Sequence, residues 1–256
     1  MIRSLFIPTS VDSYYLFSQR IVAGEITLSH VRMTLVIAQA KTRTVKKVVE
    51  KVIDNNTAVP YEDRVVEALL AALKEIGPYD QYYSVLPTNA VIFKELTLPF
   101  TSLKRIKMVL PFEIEPMLPF PLVEATVDCV ITHQTETEST IYIAALKNDA
   151  FAAHLELLSR ATIDPRKITV DILELYALYR AIYPGVSTET DVMLYVGYHA
   201  TRIGIMHRGT LVATRYVPQG LLKLAKLLET NMDHLRRFGI DDEKNTAKTS
   251  GLFNDV

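Results

Sequence analysis

Glycine is scarce in this chain: nine among 256 residues, no two of them spaced as G-x-G. A pyrophosphate cradle built on a glycine-rich loop is therefore excluded. There is a single cysteine, Cys129, which excludes an internal disulfide and a cysteine zinc cluster and fits a reducing compartment. Neither sign of charge dominates, with 28 Lys and Arg against 29 Asp and Glu. That balance removes the main reason to expect broad binding to nucleic acid or an anionic surface. No apolar run approaches the ~20 residues of a membrane span. The start, MIRSLFIPTSVDSYY, lacks the apolar stretch of a signal peptide. A soluble, cytoplasmic protein is expected. The six histidines show no ligand spacing such as H-E-x-x-H, so no metal site is expected.

What is present is a globular composition, 49% hydrophobic and 22% charged, rich enough to bury a core. Residues 2–39 read as three strands in a meander, with Ala23-Gly24-Glu25 as a turn. Thr42–Ile53 has helical spacing at Val45, Val48, Val49 and Val52, but its β-branched content favours a strand. Tyr61–Ile76 is the clearest helix, with Val65, Val66, Leu69, Leu70, Leu73 and Ile76 on one face and Gly77-Pro78 as its stop.

Residues 89–171 read as a second unit. It runs from a strand at Ala90–Leu98 to a helix from Leu103 that carries Pro111. A strand pair follows at Ala125–His133 and Ser139–Leu146, then a helix at Asp149–Ala161 and a strand at Lys167–Val170. This β-α-β-β-α-β order is the ferredoxin-like split pattern. A helix follows at Asp171–Tyr183. Strands at Val192–Val196, Thr201–Met206 and Thr210–Tyr216 come next, the last two joined at Arg208-Gly209. A helix from about Gly220 to Phe238 and a polar tail, 241–256, complete the chain.

The order of three strands then a helix occurs at 2–76 and again at 191–238, which is the layout of the actin-like fold. The expected architecture is thus α/β and actin-like. Residues 1–88 form the first subdomain and 89–171 an inserted ferredoxin-like subdomain. Residues 172–240 are the return helix and the start of a second lobe that reads as incomplete, and 241–256 a tail. An incomplete lobe would leave the apolar side of the last helix, with Leu222, Leu224, Leu227 and Leu228, exposed or paired in a homodimer.

The segment from Leu96 to Asp128 carries a family resemblance. It contains Leu98-Pro99-Phe100, a basic stretch from Lys104 to Lys107, and Leu110-Pro111-Phe112-Glu113-Ile114-Glu115. It continues with Leu118-Pro119-Phe120-Pro121 and Val127-Asp128. In this it resembles the type IV pilus assembly protein PilM and its relative GspL, the cytoplasmic platform protein of type II secretion. Asp191–Gly220 is similar to the family's second phosphate-loop hairpin, including Arg215 to Pro218.

The resemblance implies two hairpins whose turns wrap phosphates, each opened by an Asp. On the most direct alignment the first hairpin falls at Phe6–Ser10. Pro8 then replaces the Asp, Ser10 the Gly and Tyr15 a downstream Lys. In the second hairpin Tyr195 stands in the Asp position. Gly197, Thr201 and Gly220 remain as phosphate-loop remnants, and Leu221 replaces a second glycine. Without those carboxylates Mg²⁺ loses its hard oxygen ligands. No catalytic residue, metal or cofactor is expected, ATP and Mg²⁺ included. His199 in the second turn, the buried thiol of Cys129, the pair Glu113 and Glu115 and the basic patch Lys41, Arg43, Lys46, Lys47, Lys51 read as structural or solvated.

The resemblance implies a non-enzymatic scaffold, peripheral to the cytoplasmic face of the inner membrane, in a type IV pilus or type II secretion platform. It would link the assembly ATPase to membrane components. Its expected partners are that ATPase and a short apolar peptide or domain of a membrane platform protein, docking beside Phe100, Phe112 and Phe120. No nucleic acid is expected. The alternative is an actin-like nucleotide-binding protein or ATPase with divergent phosphate loops.

Overall fold

A computed structural model describes residues 10–11, 14–183, 185 and 188–237. The expected strand at 2–7, Pro8 and the tail at 241–256 lie outside the described residues. The chain divides into two compact units. One comprises Met1–Met193 with Ile203–Arg215, the other Leu194–Arg202 with Tyr216–Val256.

In the first unit a short strand β1 (Ser10–Val11) pairs with β2 (Tyr14–Ile26). Then follow β3 (His30–Ala40), β4 (Thr42–Val52), helix α1 (Tyr61–Ile76) and β5 (Gln81–Leu86). Strands β2, β3 and β4 form an antiparallel meander, and β2 pairs in parallel with β5. The ambiguous segment after residue 42 is thus a strand. Its Val49 packs inward beside Met33, while Lys47 and Lys51, on the same face, reach Glu75 of α1. Helix α1 buries Val65, Val66, Leu69, Ala72 and Ile76 on the sheet. It ends at Gly77, whose φ of 81° suits a residue without a β-carbon.

The turn expected at Ala23-Gly24-Glu25 does not form. Strand β2 runs straight through it, and the reversal comes at residues 27–29, where Thr27 N donates to His30 O. Gly24 is explained by close approach. A β-carbon there would lie 1.7 Å from the Tyr82 hydroxyl, and Tyr82 is a core residue of β5.

An inserted module follows β5. It consists of β6 (Val91–Leu98), α2 (Leu103–Ile114), β7 (Ala125–Gln134) and β8 (Ser139–Lys147), with sheet order β6-β8-β7. Helix α2 buries Ile106, Leu110 and Ile114 against Leu98, Cys129, Ile141 and Ile143. The chain then passes through α3 (Asn148–Arg160) to β9 (Pro165–Val170).

Here the ferredoxin-like expectation needs correction. Strand β9 does not join the module as a fourth strand. It pairs in parallel with β5, completing the order β4-β3-β2-β5-β9. The cause is packing: Leu158, Ala161 and Ile163 enter the core beneath the large sheet with α1, drawing the following strand to β5. After α4 (Asp171–Ile182), strands β10 (Thr190–Val196), β11 (Thr201–His207) and β12 (Thr210–Val217) form a three-stranded sheet in that order, and α5 (Leu221–Arg237) follows. The expected turn at Arg208-Gly209 is present, with φ of 51° and 74°.

Candidate functional site

The second unit brings Gly197, Thr201 and Gly220 together. Gly197 N donates to Ala200 O at 2.9 Å, closing the turn between β10 and β11. The start of α5 rests on this turn: Leu221 N donates to Gly197 O and Leu222 N to Tyr198 O, both at 3.0 Å. The first N–H groups of a helix are the natural donors to a phosphate. Here protein carbonyls take two of them, and Lys223 N donates to Gly220 O at 3.1 Å. The Thr201 hydroxyl donates to Gln219 O at 2.7 Å. A β-carbon at Gly220 would meet Gly197 O at 2.3 Å and Tyr198 O at 2.6 Å. Its glycine is thus accounted for by helix-on-turn packing.

Tyr195 has the Arg202 guanidinium over its ring, 5.6 Å from the centroid. The ring of His199 stands edge-on to Tyr198. Beside the turn is a depression of about 190 Å³, bordered by Tyr198, His199, Pro218, Leu222, Lys223 and Lys226. That is below the roughly 300 Å³ at which small-molecule sites begin. The residues present do not fit Mg-ATP. This turn has no carboxylate in the position of the expected Asp, and the first two N–H groups of α5 are taken by its carbonyls.

The internal duplication relocates the first hairpin. Strands β10-β11-β12 followed by α5 repeat β2-β3-β4 followed by α1. The counterpart of the turn at 197–200 is therefore the β2–β3 turn at 27–29. The alignment to Phe6–Ser10 falls, Ser10 apart, outside the described residues; β2 is the strand that pairs in parallel with β5. Tyr15, expected in place of a Lys, lies in β2 with Arg43 over its ring.

Beside the relocated turn, Glu25 and Arg32 face each other in register. Arg32 lies 3.5 Å from the Glu25 carboxylate and 3.3 Å from that of Glu50, which also sits 3.6 Å from His30. The sequence reading missed these residues. The signal was available as an acid and a base flanking Thr27–Ser29, but the glycine at 24 drew attention to the wrong turn. A carboxylate does survive here, held by a guanidinium. Among the described residues no cluster of three or more His, Cys, Asp or Glu could hold a metal.

The three phenylalanines part company. Phe100 packs against the module core. Phe120 is half-buried. Phe112 stands 76% exposed on the outer side of α2. Glu113 and Glu115 are exposed, and Cys129 is buried, its thiol pushed up by burial and by Asp128. In the basic patch Lys47 and Lys51 pair with Glu75, and Arg43 covers Tyr15. The last helix exposes Leu221, Leu224, Leu227 and Leu228.

No family model matches the chain, and no curated protein matches it. Solved structures do. The chain is similar to the PilM–PilN type IV pilus biogenesis complex, with 18% identity, a TM-score of 0.71, and 86% of this chain and 66% of that one covered. It is similar to the cytoplasmic domain of EpsL, an inner membrane component of the type II secretion system of Vibrio cholerae. There identity is 9% and the TM-score 0.50, over 78% of this chain and 71% of that one. A Bacteroides thetaiotaomicron protein with an actin-like ATPase fold matches at 10% identity and TM-score 0.50, over 91% and 81%. At these identities the likeness is one of fold: the chain has the actin-like fold. Among the described residues no helix is long and apolar enough to cross a membrane.

Proposed function

We propose that this chain is a scaffold in an inner-membrane assembly platform of the type IV pilus or type II secretion kind, and that it turns over no substrate. The observation that carries the reading is the likeness to the PilM–PilN complex over 86% of this chain. The start of α5 supports it, because its first two N–H groups are spent on carbonyls of the second turn rather than left open toward a phosphate. On this reading it sits at the cytoplasmic face of the inner membrane, binds a membrane platform protein beside the inserted module, and links it to the assembly ATPase.

The test is affinity isolation of the full chain from detergent-solubilised membranes of its native host. Recovery of an assembly ATPase and a short membrane protein is the expected outcome. Recovery of neither overturns the reading. A second reading, nucleotide binding, is favoured by the carboxylate of Glu25 beside the first turn. Calorimetry with ATP and Mg²⁺ separates the two: the scaffold reading expects no binding tighter than a Kd of ~100 μM, and measurable turnover would overturn it.

A further inference from the structure

We propose that the outer crest of α2 is a contact for an anionic lipid surface. This deepens the platform reading and rests on it for the presence of a membrane. Helix α2 turns Ile106, Leu110 and Ile114 into the module core, at 0%, 4% and 0% exposure. At 100° per residue, the positions opposite that stripe are Lys104, Arg105, Met108 and Phe112. All four are exposed, Met108 by 62% and Phe112 by 76%. An outer helix face is ordinarily polar. Here two large apolar side chains project from it one turn apart, next to two cations.

The cations are uncommitted. Neither Lys104 nor Arg105 has an ion pair among the described residues. Lys107, further round the helix, is held by Asp128 at 3.2 Å. The first turn of α2 contains no acidic residue. Positive charges there oppose the helix dipole, so helix stability does not account for them. Glu113 lies off the crest, a quarter-turn round from Phe112, and Glu115, the helical C-cap, stands at the far end of the crest from Lys104 and Arg105.

The occupant follows from shape and charge. A protein partner would need a pocket of its own, shaped to take the protruding Met108 and Phe112. A bilayer interface receives a protruding Phe and Met without a preformed pocket, and anionic headgroups meet the adjoining Lys and Arg. Two apolar side chains and two cations make a weak, reversible contact, suited to orienting a chain that a membrane partner also holds.

The chain contains no tryptophan, so Phe112→Trp places a single fluorescent reporter on the crest. The full chain with this change is mixed with phosphatidylcholine vesicles, with and without about one-third phosphatidylglycerol. A blue shift and co-sedimentation with the anionic vesicles alone are expected. Lys104→Glu with Arg105→Glu should weaken binding about ten-fold or more, with the melting temperature unchanged. Met108→Ser should weaken it several-fold. No blue shift, or binding indifferent to the charge reversal, overturns the proposal. So does a crest variant that keeps its vesicle binding while losing a membrane protein from the affinity isolation, since the crest then serves a protein. Vesicles contain no protein, so lipid binding without recovery of a platform partner would remove the platform reading alone.

Discussion

Asp171 locks Thr88 to the start of α4 across 83 positions of sequence: one carboxylate oxygen accepts from the Thr88 backbone N–H at 2.9 Å and from the Thr88 hydroxyl. The same oxygen accepts from Ile172 N at 2.7 Å. Asp171 directly follows β9, Pro87 alone separates Thr88 from β5, and the two strands end side by side at Leu86 and Val170. The bond therefore fastens the point where the module leaves the large sheet to the point where the chain has returned. Replacing Asp171 by Ala should cost about 3 kcal/mol, because buried donors lose a charged acceptor. Thr88→Val should cost about 1 kcal/mol, since the backbone donor remains. Urea unfolding of both variants checks the ratio.

The contact of Gly24 with Tyr82 gives a pair of opposite expectations. Gly24→Ala should destabilise by about 2 kcal/mol or more, because the neighbouring ring is fixed in the core. Tyr82→Phe should be neutral or stabilising. The hydroxyl is buried, has no hydrogen-bond partner among the described residues, and its pKa is pushed far up by burial. Thermal melts decide both signs.

His154 is bonded to Ser84 at 2.7 Å, and burial holds its pKa below the usual 6.5. The unfolded chain thus takes up a proton that the folded one refuses. Stability is full above about pH 6.5 and declines as pH falls from there toward the lowered native value. Denaturant midpoints measured at about pH 7.5 and about pH 5 should differ in that direction. His154→Gln should shrink the difference.

Gly220→Ala should loosen the start of α5, at a cost of about 2 kcal/mol, by driving a β-carbon into the carbonyls of Gly197 and Tyr198. Calorimetry should find no ATP binding before or after the change. Nucleotide binding lost on this substitution would restore the phosphate role.

Within α2, Ile106→Ala should cost about 3 kcal/mol. Phe112→Ala should leave stability within about 0.5 kcal/mol. The contrast is read in one set of melts, and equal losses would place Phe112 in the core.

Local pattern carried much of the fold. The heptad-like spacing of Val65, Val66, Leu69 and Ile76 with Gly77 behind it placed α1 residue for residue, and the doubled order of meander and helix led to the actin-like architecture. What pattern could not carry was partnership. Strand β9 has the same apolar rhythm whether it pairs with β6 or with β5, and the choice is made by Leu158 and Ile163 packing beside α1. Gly24 looked like punctuation because a glycine in a turn and a glycine under a tyrosine ring are the same letter. That error hid the pair Glu25 and Arg32. At the second turn the positions Gly197, Thr201 and Gly220 were legible, but their hydrogen bonds to one another's neighbourhood were not.

The pairing of β9 with β5 also bears on how the chain finds its fold. Two parallel strands must meet across a long intervening stretch, and closing a loose loop of that length is entropically adverse. The module shortens the search. Its β7–β8 hairpin is local in sequence and, once α2 has closed over it, turns most of the loop into a compact body with its ends drawn in. Changes that weaken Ile106, Leu110 or Ile141 should therefore slow the joining of β5 to β9 even though none of these residues belongs to the large sheet. The insertion would then act, during folding, as the clasp that lets the large sheet close around it.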